Sequence, residues 1–361
     1  MRPLIDAHLD LAWSGIFWNR DLTRSLEDVR QAEKHITDHQ AWGRGTVTFP
    51  ELRKAQVKLC LGTVLVRSKP DVAPAAGSAR RDLDFRNQVL ASAIGHSHVQ
   101  YYRELERAGE IRFIRNQSDL QSHWNSGPDE KRVGLILAME GADPIVSPDR
   151  AQEWWDLGLR CVGLTHYGQG PYGMGTGGTG SITAPGKKLL EEFQRLGMIV
   201  DLTHSAEPGF FEILDQFSGR VLASHNMCRE LVPGDRQFSN EQIQRLIERN
   251  AVIGMAFDAW MLTPGWVIGH TDPAVVGIQA AADHVDHICQ LAGNARHVGI
   301  GSDLDGGFGT EQTPRDLNSI TDLHRLEEIL SDRGYSAADI DGIFYGNWLR
   351  FFSEALPKDS N

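Results

Sequence analysis

The sequence predicts an α/β protein, a (β/α)8 or TIM barrel with a metal site at the C-terminal ends of its strands. Three observations predict it. Eight short apolar runs recur along the 361 residues, amphipathic helical stretches separate them, and side chains of metal-ligating type close six of the eight runs. Alternating strand and helix implies right-handed βαβ units and a parallel sheet. Eight such units fit a closed barrel. A doubly wound open sheet is the alternative, because periodicity does not encode closure.

The predicted strands cover residues 4–11, 59–66, 133–140, 161–166, 198–204, 221–225, 252–257 and 297–303. Helical patterns lie over 83–108, 187–196, 240–250 and 274–291. Residues 1–361 are expected to form a single domain with long loops at about 13–50 and 168–181. The second loop, "GQGPYGMGTGGTGS", contains a formal GxGxxG at Gly173, Gly175 and Gly178. It does not directly follow its strand, so a mobile loop over the barrel mouth is expected there rather than a dinucleotide site.

His8 and Asp10 close the first predicted strand, in "LIDAHLDLAW", two residues apart and so on one face. Asp6 shares that face one step deeper and reads as a supporting residue. Glu140 closes the third, in "GLILAMEG", and His166 the fourth, in "VGLTH". His204, His225 and Asp303 close the fifth, sixth and eighth. The alternate residues beneath three of them are Leu202, Ala223 and Gly301, apolar or small as inward positions require. In this fold the C-terminal strand ends form one mouth.

Imidazole and carboxylate together suit zinc and similar divalent ions. There are too many ligands for one ion. His8, Asp10 and Glu140 can hold one metal, and Glu140, His204 and His225 a second, with Glu140 bridging. Two such metals share a water and lower its pKa, giving a hydroxide nucleophile. Asp303, outside the ligand set, is suited to general base and then acid, and His166 to stabilising a developing oxyanion.

Other features point to packing. His284 and His287 in "DHVDH" are expected on the outer face of a barrel helix, and His96 and His98 in "GHSH" at the surface. Trp13, Trp18 and Trp42 read equally as pocket lining or loop packing. Cys60, Cys161, Cys228 and Cys289 have no CxxC spacing and read as buried free thiols. The formal net charge of −12 argues against a nucleic-acid partner. With neither a basic-then-apolar leader nor 18 consecutive apolar residues, no membrane partner and a cytoplasmic location are expected.

At these residues the chain resembles the renal (membrane) dipeptidase family, the M19 peptidases of the amidohydrolase superfamily. The matching segments are "DAHLDLAW", "LAMEGAD", "LGLRCVGLTH", "RLGMIVDLTHS", "ASHN", "DHVDHICQLAG" followed by "HVGIGSDLDG", and "IFYGNWLRFF". The resemblance implies a (β/α)8 barrel with a binuclear zinc centre that hydrolyses dipeptides, including ones with a C-terminal D-residue. It implies that His8, Asp10 and Glu140 bind one Zn2+, and that Glu140, His204 and His225 bind the other. It further implies Asp303 as acid/base and His166 as the contact to the scissile carbonyl. The family's Arg–Asn pair after "SHN" reads "DRQFSN" here, so Arg236 matches the Arg that grips the substrate carboxylate and Gln237 replaces the Asn.

Charge points to the same substrate class. Two divalent ions are balanced by Asp10, Glu140, a hydroxide and Asp303, which leaves Arg236 to favour one free carboxylate. The expected partner is a small dipeptide, with a homodimer common among relatives. Hydrolysis of N-acyl amino acids or lactams, and a non-catalytic metal-binding homologue, are the competing readings. The fourth strand, "CVGLTH", has no Lys, which separates the chain from relatives whose metals are bridged by a carboxylated lysine.

Overall fold

The computed structural model describes residues 1–70, 83–127 and 129–358. Eight parallel strands form the barrel: β1 Leu4–Leu9, β2 Val57–Leu65, β3 Val133–Glu140, β4 Leu159–Gly163, β5 Ile199–Asp201, β6 Val221–Leu222, β7 Ile253–Met255 and β8 Val298–Ile300. The order of hydrogen-bonded neighbours is β7-β8-β1-β2-β3-β4-β5-β6. A parallel bridge between Ala223 and Ile253 brings β6 against β7. There Ala223 N donates to Val252 O at 3.1 Å and Gly254 N to Ala223 O at 2.8 Å.

Ile5, Ala7, Leu59, Leu61, Ile136, Ala138, Cys161, Ile199, Leu222 and Val252 share one apolar cluster with Trp348, Phe351 and Phe352. These strand residues fill the barrel, and the C-terminal helix Asn347–Ala355 packs against them. Trp348 donates its indole N–H to Ile300 O at 2.9 Å, which satisfies the one polar atom that this buried ring carries. The larger cluster lies between strands and helices. No helix among the described residues is long and apolar enough to cross a membrane.

Several expectations need correction. The last five strands end two to three residues before their predicted limits, because the backbone leaves the ladder: His204 has φ 62° and Asp303 φ 59°. An additional strand, Ile111–Phe113, pairs with the first half of β3, below β4. Residues 84–85 pair with Arg67–Ser68, so the helix predicted from residue 83 begins at Gln88. His98 is buried against Phe17 instead of lying at the surface. His284 accepts from Cys228 N at 3.0 Å and His287 pairs with Asn240 at 2.6 Å, the packing roles expected of them. All four cysteines are free, and Cys289 is the one that is only partly buried.

Both long loops are built structures. Residues 13–50 carry the helix Leu26–Glu33 and are tied to the end of β8 by a buried network. Asp305 accepts from Thr46 N and Thr46 Oγ1, both at 2.7 Å, and from Val47 N at 3.1 Å. Arg20 lies 3.6 Å from Asp305 and pairs with Glu33 at 2.7 Å. Trp18 and Trp42 pack against each other with tilted rings beside Arg20. The glycine-rich segment is tied down rather than free over the mouth. Thr176 N donates to His166 O at 3.0 Å and to His204 O at 2.9 Å. A Cβ at Gly175 would fall 1.8 Å from His166 O, so only glycine permits this approach.

Asp305→Ala would strip those buried donors and leave Arg20 with Glu33 alone. The expected cost is about 3 kcal/mol in chemical denaturation. An unchanged midpoint would show that the network does not anchor the loop.

Candidate metal centre

Glu140 continues the inward face of Ile136 and Ala138 and ends β3 at the centre of the mouth. Its carboxylate faces four imidazoles. His204 Nε2 lies 3.2 Å and His225 Nε2 3.3 Å from Oε1. His166 Nε2 is 3.7 Å from Oε1, and His8 Nε2 is 3.6 Å from Oε2. Asp10 Oδ2 and Asp303 Oδ1 each lie 3.7 Å from His8 Nε2, and Asp303 Oδ2 lies 4.0 Å from His225 Nε2. All seven residues anticipated from the strand ends therefore meet in one place. Asp10, Glu140, His166, His204 and Asp303 line a cavity of about 120 Å3, and Arg236 lines it with them.

Local backbone devices aim these side chains. The β1–β2 pairing slips between Asp6 and Leu9, which turns His8 inward one residue after Ala7. Asp6 is the prop for that slip. Its Oδ1 accepts from His8 N at 3.1 Å and from Ser302 N at 2.8 Å. Asp201 repeats the device, accepting from Thr203 N and Ser224 N, both at 3.0 Å. Past β8, Gly306 N donates to Asp303 O at 3.0 Å, and a Cβ at 306 would sit 2.1 Å from Asp303 Oδ1. The left-handed backbone at His204 and Asp303 costs each about 1–3 kcal/mol, a strain that clusters at functional sites.

The ring nitrogens facing away from the centre decide which histidines can ligate. His204 Nδ1 meets Thr176 Oγ1 at 3.0 Å, and His225 Nδ1 meets Ser224 Oγ at 2.9 Å. A hydroxyl can accept from Nδ1–H, which leaves the Nε2 lone pair for a cation. His166 differs. Its Nδ1 faces Arg67 Nη1 at 3.4 Å, and a guanidinium can only donate. That contact suits the tautomer with the proton on Nε2, in which this ring presents an N–H to the cavity, while Nε2 also lies in a Glu140, His166 and His204 cluster of metal-ligating type. Arg67 is fixed in turn by Asp84, at 2.6 and 2.9 Å.

The residues present fit a cation. His8 Nε2 is buried and has no hydrogen-bond partner, an orphan at the centre of a His/Glu/Asp set. Neighbouring ligands on one tetrahedral ion stand about 3.3–3.6 Å apart when bonds are about 2.0–2.2 Å. The separations around Glu140 are of that size. Glu140 also offers one oxygen to each side, Oε2 toward His8 and Oε1 toward His204 and His225.

Protonation follows from burial and charge. Burial pushes His204 and His225 well below the usual imidazole range, toward the neutral form that a metal needs. Burial also lowers His166, to about 4, with Arg67 and Arg236 adding to the shift. Burial opposes ionisation of Glu140, yet the surrounding histidines hold it well below the carboxylate range. Asp303 is pushed well up, first by burial and then by the nearby Glu140, Asp10 and Asp258 carboxylates.

A family model for membrane dipeptidases, peptidase family M19, matches residues 1–359. The chain belongs to that family. It is a metal-dependent hydrolase that acts on dipeptides. Curated relatives include dipeptidase aclJ of Aspergillus oryzae, 25% identical over 98% of this chain and 78% of its own length. Human dipeptidase 3 is 22% identical over 98% of this chain and 65% of its own length. A metallopeptidase from Rhodobacter sphaeroides, solved with a phosphinate mimic of L-Ala-D-Ala, superposes with a TM-score of 0.75. It is 21% identical, over 98% of this chain and 99% of that one, and confirms the barrel.

Three residues of the site escaped the sequence reading. Arg67 follows β2, Asp258 follows β7, and Thr176 sits in the glycine-rich loop. The first two stand just past the two predicted strands to which no polar residue had been assigned, and that position was the available signal.

Arg67→Met removes the donor that fixes the His166 tautomer. The expected result is a fall in kcat/KM of about tenfold with bound metal unchanged, partly restored by Arg67→Lys. The 15N shifts of His166 should show proton density moving to Nδ1. Unchanged shifts would remove Arg67 from this role.

Proposed function

We propose that the chain is a binuclear zinc dipeptidase, with His8, Asp10 and Glu140 holding one ion and Glu140, His204 and His225 the other. The division of the Glu140 oxygens between two groups of imidazoles carries this reading. When bound, the ion pair supplies Lewis acidity toward the scissile carbonyl and an acidified water as nucleophile. Asp10 is held for its part by Thr63 Oγ1, which donates to Oδ1 and leaves Oδ2 toward His8.

The remaining residues act on the substrate. Asp303, held among carboxylates, takes a proton at Oδ1 or Oδ2 and passes it to the leaving amine. His166 donates from Nε2 to the scissile carbonyl oxygen as charge develops there. Arg236 is buried, anchored by Nη2 donating to His225 O at 2.9 Å, and Nη1 has no partner. That free Nη1 suits the terminal carboxylate of a dipeptide. The ligand of the Rhodobacter sphaeroides structure mimics a dipeptide with a C-terminal D-residue. We extend the same class to this chain.

Metal analysis of Asp303→Asn beside the unmodified protein tests the assignment. Both are expected to hold about two divalent ions per chain, while turnover of Ala-D-Ala and Ala-Ala falls about 10²–10⁴-fold in the variant. A folded, metal-replete protein with one ion contradicts the binuclear reading. Full turnover in the variant removes Asp303 from proton transfer.

A further inference from the structure

The charge balance expected from the sequence left Arg236 as an uncompensated cation. The structure adds Asp258, which is 6% exposed and lines the same cavity. Its two oxygens are used unequally. Oδ2 accepts from Trp260 Nε1 at 2.6 Å and from Gln312 Nε2 at 3.0 Å. Oδ1 is buried and has no partner. Arg236 Nη1 is orphaned in the same way, so these two atoms do not hydrogen-bond to each other. A buried polar atom without a partner is destabilising, and a direct pair would relieve both. An unpartnered cationic atom and an unpartnered carboxylate oxygen lining one cavity match a ligand fragment that carries both signs.

The surroundings favour a cation on the Asp258 side. The cavity walls include the Trp13, Tyr167 and Trp260 rings, whose faces attract cations. Asp10, Glu140 and Asp303 are taken up by the metal centre, which leaves Asp258 as the one carboxylate of this lining for a substrate cation among the described residues, beside Arg236 and the His166 and His204 imidazoles. Burial pushes the Asp258 carboxyl up to about 7, with Gln312, Trp260 and Arg236 pulling against it. A cation arriving at Oδ1 favours the ionised form.

We propose that Asp258 is a specificity-determining residue, and that the pocket between it and Arg236 selects a C-terminal residue with a cationic side chain. The α-carboxylate meets Arg236 Nη1 and the side-chain ammonium or guanidinium meets Asp258 Oδ1. This rests on the dipeptidase reading and adds the substrate class.

The test is a kcat/KM series with metal-loaded protein on Ala-Lys, Ala-Arg, Ala-norleucine, Ala-Leu and Ala-Glu, each in L and D form at the second residue. It is run on the unmodified protein and on Asp258→Asn. The Asn amide oxygen can keep the Trp260 and Gln312 bonds while its NH2 replaces the acceptor with a donor. The unmodified protein is expected to favour Lys over norleucine by about tenfold or more in at least one stereochemical series. In the variant that ratio should fall to about one, with bound metal and the circular dichroism spectrum of the unmodified protein reporting folding. An unchanged Lys-to-norleucine ratio in the variant overturns the proposal. So does an equal loss on Ala-Leu and Ala-Lys, which would assign Oδ1 to the ammonium common to all dipeptides. An unmodified protein that hydrolyses Ala-Leu without preferring Lys or Arg overturns this inference alone. Hydrolysis of no dipeptide overturns the dipeptidase reading with it.

Discussion

A single buried carboxylate organises this molecule. Glu140 stands at the centre of the barrel mouth with four imidazole nitrogens within 3.7 Å. A carboxylate buried there without compensation costs several kcal/mol, and neutral histidines alone compensate poorly. The arrangement makes physical sense around divalent cations. Cations bound there would satisfy the orphaned His8 Nε2 and keep Glu140 ionised. Hydroxyls stand behind His204 and His225 and a guanidinium behind His166, so three similar rings have different partners.

The barrel serves this centre by ending its strands early. Five strands are five residues or shorter, and beyond them the chain turns toward the axis. Asp6 and Asp201 satisfy the backbone N–H groups freed at two of these turns. The apolar layer below, closed by Trp348, Phe351 and Phe352, gives the mouth a rigid floor. The glycine-rich segment and residues 13–50 are fastened by hydrogen bonds to the same strand ends. The strand ends carry the clustered histidines and carboxylates, and the two long loops are anchored to them.

The strand–helix alternation, the seven polar strand ends and the family were all legible in the sequence. They were legible because each depends on local pattern or on short motifs: an apolar run closed by a His or an acid is visible without coordinates. Strand limits were less so, since nothing in "VDLTHS" or "GIGSDL" announces a left-handed residue. Arg67 and Thr176 were invisible for another reason. They act on His166 and His204 from 99 and 28 residues away, across contacts that only folding creates. Asp258 had a faint signal, a carboxylate after the apolar run "VIGMAF", but its unpaired oxygen is a fact of packing.

The central claim is that Glu140 joins two cations, and anomalous diffraction from crystals of the zinc-loaded protein tests it most directly. The account predicts two zinc peaks flanking the Glu140 carboxylate. Oε2 should ligate the ion held by His8 and Asp10, and Oε1 the ion held by His204 and His225, with His166 bound to neither. A single peak, or two peaks with Glu140 bound to one ion only, would contradict it.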